Sequence, residues 1–440
     1  MVSTENAAVT RQNRSESLWH GPMRRILLSS FSGSVIEFYD FVLYVIAAAV
    51  VFPQVFFNDL SPNMATAASF VTLAIGYVAR PLGGVIFGHF GDKLGRKGVL
   101  VTTMLIMGLS TAAIGLLPST DLIGVTAPIL LVTCRLLQGV AVGGEWGGAM
   151  LIALENSPGA KRGFAASFAN LGAPAGAMLA TGSISLASTL PQHQFLSWGW
   201  RVPFLLSFLL VLVGMFIRLR VSESPLFKSL DQEAEKRKVP VLEVLRHYPT
   251  AVALGIVVAI SQLTIDGIAS SWAINRVVEL GADRTTILNL KILGSVALFI
   301  AAFISARLSD RWGRRPLIAI GIVAALIFVF PMLNLIQTGT AESFAAAVII
   351  GQFIQGIILG PLAAFLAELF PTRLRFTGAS LCFQTAASLG SGFTPLIATS
   401  LVTATGGIAV LGWVWLGVLA VCLVTILLAS ESRTRDLSAI

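Results

Sequence analysis

The stretch SVIEFYDFVLY (34–44) places Glu37 and Asp40 inside an apolar run that extends from Ile26 to Phe52. Residues three apart share a helix face, and Tyr44 continues that stripe four residues after Asp40. Each carboxyl costs roughly 3 kcal/mol at the centre of a membrane-spanning helix. Such a buried carboxyl can take a proton on one side of a membrane and release it on the other. The alternative is a structural pair satisfied by neighbouring helices. Arg135 lies in a second apolar run, where its guanidinium cannot shed its proton and needs an anion. Glu37 or Asp40 can supply that anion in the empty state, and a substrate carboxylate can displace it. Tyr44 and Gln138 flank the same place and are expected to join Arg135 in holding substrate. Glu145, in GGEWGG, faces away from Arg135 because ten residues turn a helix by about 280°. It is expected either to pair with Arg80 or to relay protons. In the second half of the chain, Asp266 and Lys291 are expected to form an outer pair or to touch substrate.

Elements long enough to place these groups in a bilayer recur along the chain. The 440 residues are 55% hydrophobic and only 12% charged, where soluble domains carry about 25% charged residues. With a mean hydropathy of +0.83, such a chain needs lipid as its solvent. Twelve spans are predicted, at 26–50, 65–88, 99–118, 125–152, 164–190, 200–219, 249–275, 286–306, 317–336, 343–367, 376–401 and 406–429. Of the 30 Lys and Arg residues, 24 fall on one side of this topology, which the positive-inside rule makes cytoplasmic. Both termini share that side. The same distribution accounts for the net charge of +8 without nucleic acid. The polar lead of residues 1–25 is expected to be a cytoplasmic tail rather than a cleaved signal, and 430–440 a second tail. Residues 220–248 form the one long polar connection, dividing six-helix halves at 26–219 and 249–429. Its run DQEAEKRK fits a surface helix or a solvated linker. The three cysteines sit in apolar segments without metal or disulfide spacing. No nucleotide loop, zinc pattern or nucleophile motif points to an enzyme.

The halves repeat. HFGDKLGRK (89–97) aligns with RLSDRWGRR (307–315), pairing Asp92 with Asp310, Gly95 with Gly313 and Arg96 with Arg314. ENSPGAKRGFAAS (155–167) aligns with ELFPTRLRFTGAS (368–380), pairing Glu155 with Glu368. Two like halves are the signature of parallel-repeat secondary transporters. Gly88 and Gly95 suit a tight turn. Asp92 can cap a helix N-terminus. Arg96 and Lys97 can meet Glu155, and Asp310, Arg314 and Glu368 repeat the set. Such contacts would hold the cytoplasmic face closed.

These motifs resemble the major facilitator superfamily, whose loop motif GHFGDKLGRK (88–97) matches in full; the second copy has Ala306 in place of the leading glycine. More narrowly, EFYDFVLY (37–44), ARPLGGVIFGHFGDKLGRK (79–97), RLLQGVAVGGEWGGAMLIALE (135–155), SWGWRVPFLLS (197–207), SESPLF (222–227) and AELFPTRLRFTGAS (367–380) resemble the metabolite:proton symporter family, with shikimate-type and other organic-acid carriers nearest. The resemblance implies an all-α bundle of twelve transmembrane helices in the cytoplasmic (inner) membrane, working as a monomer by alternating access. Its implied partners are a small organic acid and the lipid bilayer, with protons as coupling ion and no other cofactor. The glycine-rich LGAPAGAMLATG (171–182) faintly resembles a drug-antiporter segment, but its first expectation is a helix-packing seam. Organic-anion export, exchange or ligand sensing without transport are the alternatives.

Overall fold

The computed structural model describes residues 21–220, 240–431 and 433. The outer parts of both expected tails and most of the central connection, including DQEAEKRK and SESPLF, lie outside the described residues. Twelve long helices build the bundle. In the first half they are α1 (Gly21–Val50), α2 (Pro62–Leu94), α3 (Arg96–Leu116), α4 (Thr126–Glu155), α5 (Arg162–Ala187) and α6 (Arg201–Leu219). The second half starts with α7 (Pro249–Gly267), α8 (Arg284–Trp312), α9 (Arg314–Gln337) and α10 (Ala341–Glu368). It ends with α11 (Arg375–Ala387) and α12 (Ala409–Leu428). A π turn at Ile268–Trp272 carries α7 on to Glu279, and another at Ser388–Gly392 carries α11 on to Thr405. The last part of the expected connection folds as a short helix, Pro240–His247.

Ten of the twelve are long and apolar enough to cross a membrane by their own composition. The other two, α5 and α11, are rich in Gly, Ala, Ser and Thr. Both pack against the opposite half, α5 on α8 and α11 on α2. Their surfaces meet protein rather than lipid, so small residues that permit close approach replace the usual large apolar ones.

Small residues also set the packing within the first half. On α4, a Cβ at Gly139 would strike the backbone of Gly76, and one at Gly143 the backbone of Arg80 and Gly84, both on α2. On α5, Gly172 and Gly176 lie against the backbone of α1 between Phe31 and Tyr39. The segment LGAPAGAMLATG is thus a packing seam, as expected. These contacts bring α2, α4 and α5 close enough to α1 for its two carboxyls to be enclosed.

The repeat survives in backbone detail. Gly95 and Gly313 have φ of +105° and +103°, with ψ of 153° and 162°, a region open essentially to glycine alone. Each makes the turn between two long helices at the end that carries the basic loops, called here the basic end.

Candidate functional site

Glu37 and Asp40 are both buried, at 4% and 2% exposure. They line one narrow pocket with Phe41, Arg80, Arg135 and Gln138. Its cavity volume is only about 10 Å³, roughly that needed to hold a single water. In this conformation the pocket suits water or a proton better than a metabolite.

The expected ion pair between Arg135 and one of these acids is not made. Among the described residues Arg135 has no carboxylate within 4.0 Å. Its Nη1 donates to Gln138 Oε1 at 3.3 Å, and its Nε is buried without a partner. The guanidinium lies over the rings of Tyr44 at 4.1 Å and Phe41 at 5.4 Å. Gly76 leaves room for it, since a Cβ there would collide with the arginine side chain. Asp40 accepts instead from Thr111 Oγ1 at 2.8 Å and Ser207 Oγ at 2.5 Å. Gln138 Nε2 donates to the same Thr111 hydroxyl at 2.7 Å. Arg135 and Asp40 are therefore joined indirectly, through Gln138 and Thr111. Hydroxyl donors on α3 and α6 satisfy the carboxyl, and aromatic faces shield the cation. Nothing in the sequence marks Thr111 or Ser207, because only the packing of α3 and α6 on α1 brings them to Asp40. Tyr44 is also held, its hydroxyl donating to Thr72 Oγ1 at 2.7 Å.

Glu145 does not pair with Arg80. Its carboxylate is gripped by both Nη atoms of Arg218 and accepts from Thr103 Oγ1 at 2.8 Å. Arg80 lies over Phe41 and Tyr77, at 4.6 and 4.7 Å from their ring centroids. Arg218 reads in sequence as one more basic residue of the central connection. In the fold it is the last-turn arginine of α6, 2% exposed, with its side chain directed back into the bundle. A basic residue at the edge of an apolar run looks the same in sequence whether it turns outward or inward.

Asp266 and Lys291 do not form an ion pair within 4.0 Å. Asp266 accepts from Ser270 at 3.0 Å and Ser391 at 2.9 Å, so serine hydroxyls replace the expected ammonium. The second half adds a set of amides absent from the sequence-derived site. Gln352 donates to Ser270 at 3.2 Å and Gln355 to Gln262 at 3.1 Å. Gln384 reaches across to the Val142 carbonyl at 3.1 Å. The amide oxygens of Gln352, Gln355 and Gln384 are buried without partners. Leaving such an acceptor unmade costs about 1–3 kcal/mol. Their sequence signal is polar residues recurring in apolar spans and, for Gln352 and Gln355, the repeat, which sets them opposite Arg135 and Gln138.

At the basic end, the motif residues join the two halves. Asp92 accepts from the backbone N–H groups of Phe376 at 3.3 Å and Thr377 at 3.0 Å, and from the Thr377 hydroxyl at 2.7 Å. Asp310 accepts from the N–H groups of Gly163 at 2.8 Å and Phe164 at 2.9 Å. Each aspartate thus meets the first turn of a helix in the opposite half, α11 or α5, where orphan N–H groups and the helix dipole favour negative charge. Glu155 is shared by Arg96 of its own half and Arg375 of the other, at 3.3 Å from the latter. Arg314 meets Glu368 and Asp310, each at 3.1 Å. Lys97 donates to the Leu219 carbonyl at 2.9 Å. Gly88 fits closely over Thr377. Further inward, Trp146 stacks on Phe383 at 3.9 Å, and Ser388 donates to the Tyr77 carbonyl at 2.8 Å. The bonds between halves thus run from the basic end to the middle of α2.

Twelve helices in two like halves, with charged groups enclosed in the first, define a multi-pass membrane transporter rather than an enzyme. The family model for "Sugar (and other) transporter" matches residues 26–238 and again 226–440, and the chain belongs to that family, within the major facilitator superfamily. It is 38% identical over 420 residues to the inner membrane metabolite transport protein YhjE of Escherichia coli K12, covering 94% of this chain and 95% of that protein. It is 40% identical over 422 residues to the shikimate transporter of the same organism, covering 93% and 95%. With the proline/betaine transporter of E. coli K12 the identity is 31%, over 95% of this chain and 85% of the relative. The fold superposes on the major facilitator proton:xylose symporter XylE bound to 6-bromo-6-deoxy-D-glucose with a TM-score of 0.80, at 18% identity, covering 95% and 98% of the two chains. Against the inward-open conformation of XylE from E. coli the TM-score is 0.65, at 17% identity, covering 94% and 97%.

Proposed function

We propose that the protein imports a small hydroxylated organic acid together with protons, by alternating access. The observation that carries this reading is Arg135: a buried guanidinium with no carboxylate in pairing range among the described residues, linked to Asp40 through Gln138 and Thr111. A substrate carboxylate is the natural counter-charge. On binding, it draws on Arg135 and Gln138 and so alters the hydrogen bonding of Asp40, which ties substrate to proton. Tyr44, Lys291 and Asp266 are proposed to border the substrate, and Glu37 and Glu145 to share the proton-handling with Asp40. The unpartnered amide oxygens of Gln352, Gln355 and Gln384 favour a ligand with hydroxyl donors over a betaine, which has none. The name of the shikimate transporter, 40% identical, supports the same class.

In this reading the basic end faces the cytoplasm of a cell whose inner membrane holds the monomeric protein. Gly88, Asp92, Arg96, Lys97 and Glu155, with Asp310, Arg314 and Glu368, form the gate that closes that face. The test is uptake of radiolabelled shikimate, and of glycine betaine as comparison, into proteoliposomes with the outside acid. Accumulation of the hydroxy acid that collapses with a protonophore is the expected result. Accumulation of the betaine alone overturns the substrate class. Gradient-insensitive exchange overturns symport, and binding without movement overturns transport.

A further inference from the structure

The charged groups of the first half form two stations at different depths. Asp40 and Arg135 make one. Glu37, Glu145 and Arg218 make the other, and it lies nearer the basic end: Glu145 stands ten residues, about 15 Å of helix, beyond Arg135 toward that end.

Glu37 Oε2 is buried with no hydrogen-bond partner. An ionised carboxylate left so would cost several kcal/mol unless a cation paired with it. The groups facing it are Glu145 on α4, Arg80 on α2 and Arg218 on α6, with Asp40 one turn along its own helix. Arg80 is engaged by the rings of Phe41 and Tyr77. Arg218 is engaged by Glu145. Its guanidinium lies against Gly33, where a Cβ would overlap both it and the Glu145 carboxylate. Gly33 and Glu37 are four residues apart on α1, hence neighbours on one face at about 5–6 Å. The guanidinium is therefore about one helical turn from Glu37, on the same side of α1, and rests on Gly33, which has no side chain to hold it in place.

We propose that Arg218 is a shared counter-ion that holds a second proton site: it pairs with Glu145 while Glu37 carries a proton, and moves one turn along α1 to Glu37 when that proton leaves. The three groups sum to zero charge in the first state, and do so in the second when Arg218 neutralises Glu37 and Glu145 is protonated. Glu145 takes up the proton as Arg218 leaves it, because an ionised carboxylate without a cation is as costly there as at Glu37. This would make the cluster the exit station for protons that enter at Asp40, and in that respect it rests on the coupling reading above. Arg218 is a positioning residue for that exchange.

The test needs no substrate. Infrared difference spectra of the full-length protein in nanodiscs at pH 7 report protonated carboxyls, and the band lost in Glu37→Gln identifies Glu37. In Glu145→Gln, Arg218 is released to Glu37, and an opposite charge at that range changes occupancy about tenfold or more. The Glu37 band should fall accordingly, and return in Glu145→Gln/Arg218→Gln, where no cation is available. Arg218→Lys, which keeps the positive charge as a single ammonium in place of the guanidinium fork, should retain the wild-type band. An unchanged Glu37 band in Glu145→Gln overturns the proposal, as does a wild-type spectrum without any Glu37 band. Either failure leaves uptake driven through Asp40 intact, whereas loss of proton-driven uptake in the wild type would overturn the coupling reading itself.

Discussion

Arg135 and Asp40 each meet only neutral groups among the described residues, and this is what leaves them available. An arginine locked to an aspartate would have to lose that pair before binding an anion, and separating a buried pair costs about 3–5 kcal/mol. Here aromatic faces and one amide hold the cation, so a carboxylate adds a charge-assisted bond without first breaking one. Arg135→Gln should weaken binding of a carboxylate substrate by about 1.5–3 kcal/mol, read by thermal-shift titration of the purified protein. Equal affinity would make Arg135 structural. Asp40→Asn can still accept from one of Thr111 and Ser207, presents an amide donor to the other, and carries no titratable proton. It should abolish proton-driven accumulation while substrate exchange across the membrane persists. Accumulation at the wild-type level would remove Asp40 from coupling.

At the scale of the elements, the first half depends on how closely α2 and α4 approach. Gly139 and Gly143 allow backbone-to-backbone contact with α2, and that contact fixes the depth of Arg135 relative to α1. Gly143→Val puts two methyl groups where the Arg80 carbonyl and Gly84 N–H lie. Overpacking of this kind costs typically about 1–3 kcal/mol. The melting temperature in detergent should fall, and the ring contact of Arg135 with Tyr44 should loosen. An unchanged melting temperature would mean the two helices have space that the structure denies them. The helices α5 and α11 show the complementary point. Their modest hydropathy is the consequence of facing the other half, so span prediction by apolarity is weakest for the helices that form the interface between the halves.

At the scale of the whole molecule, the halves are held at the basic end by two equivalent contacts, Asp92 on the α11 N-terminus and Asp310 on that of α5. A carboxylate at a helix N-terminus is worth about 0.3–1 kcal/mol, more when partly buried. Contacts on separate helix pairs add. Asp92→Asn/Asp310→Asn should therefore shift the balance toward the conformation open at the basic end by about 1–2 kcal/mol, a factor of roughly 5–30. Spin labels at Ala160 and Arg311, both exposed, straddle the α5–α8 contact and would report a growing long-distance population. An unchanged distance distribution would show that the aspartates fix the helix turns without holding the halves together.

The sequence by itself determined the membrane, the twelve helices, the repeat and the aspartates that meet helix N-termini at the basic end. Each of these rests on local or periodic signals: run length against bilayer thickness, glycine at a turn that only glycine can make, and a motif whose aspartate is built to meet a helix N-terminus. It also singled out Glu37, Asp40, Arg135 and Glu145, because a charged residue in an apolar run is costly wherever it lies. Which partner each of these takes was decided only by tertiary structure. Asp40 found two hydroxyls, Glu145 found Arg218 in place of Arg80, Asp266 found serines in place of Lys291, and Arg135 found rings and an amide. Partner choice depends on the rotation and depth of separate helices to within a few ångströms. That information resides in the packing of small residues between helices, and no spacing along a single helix carries it.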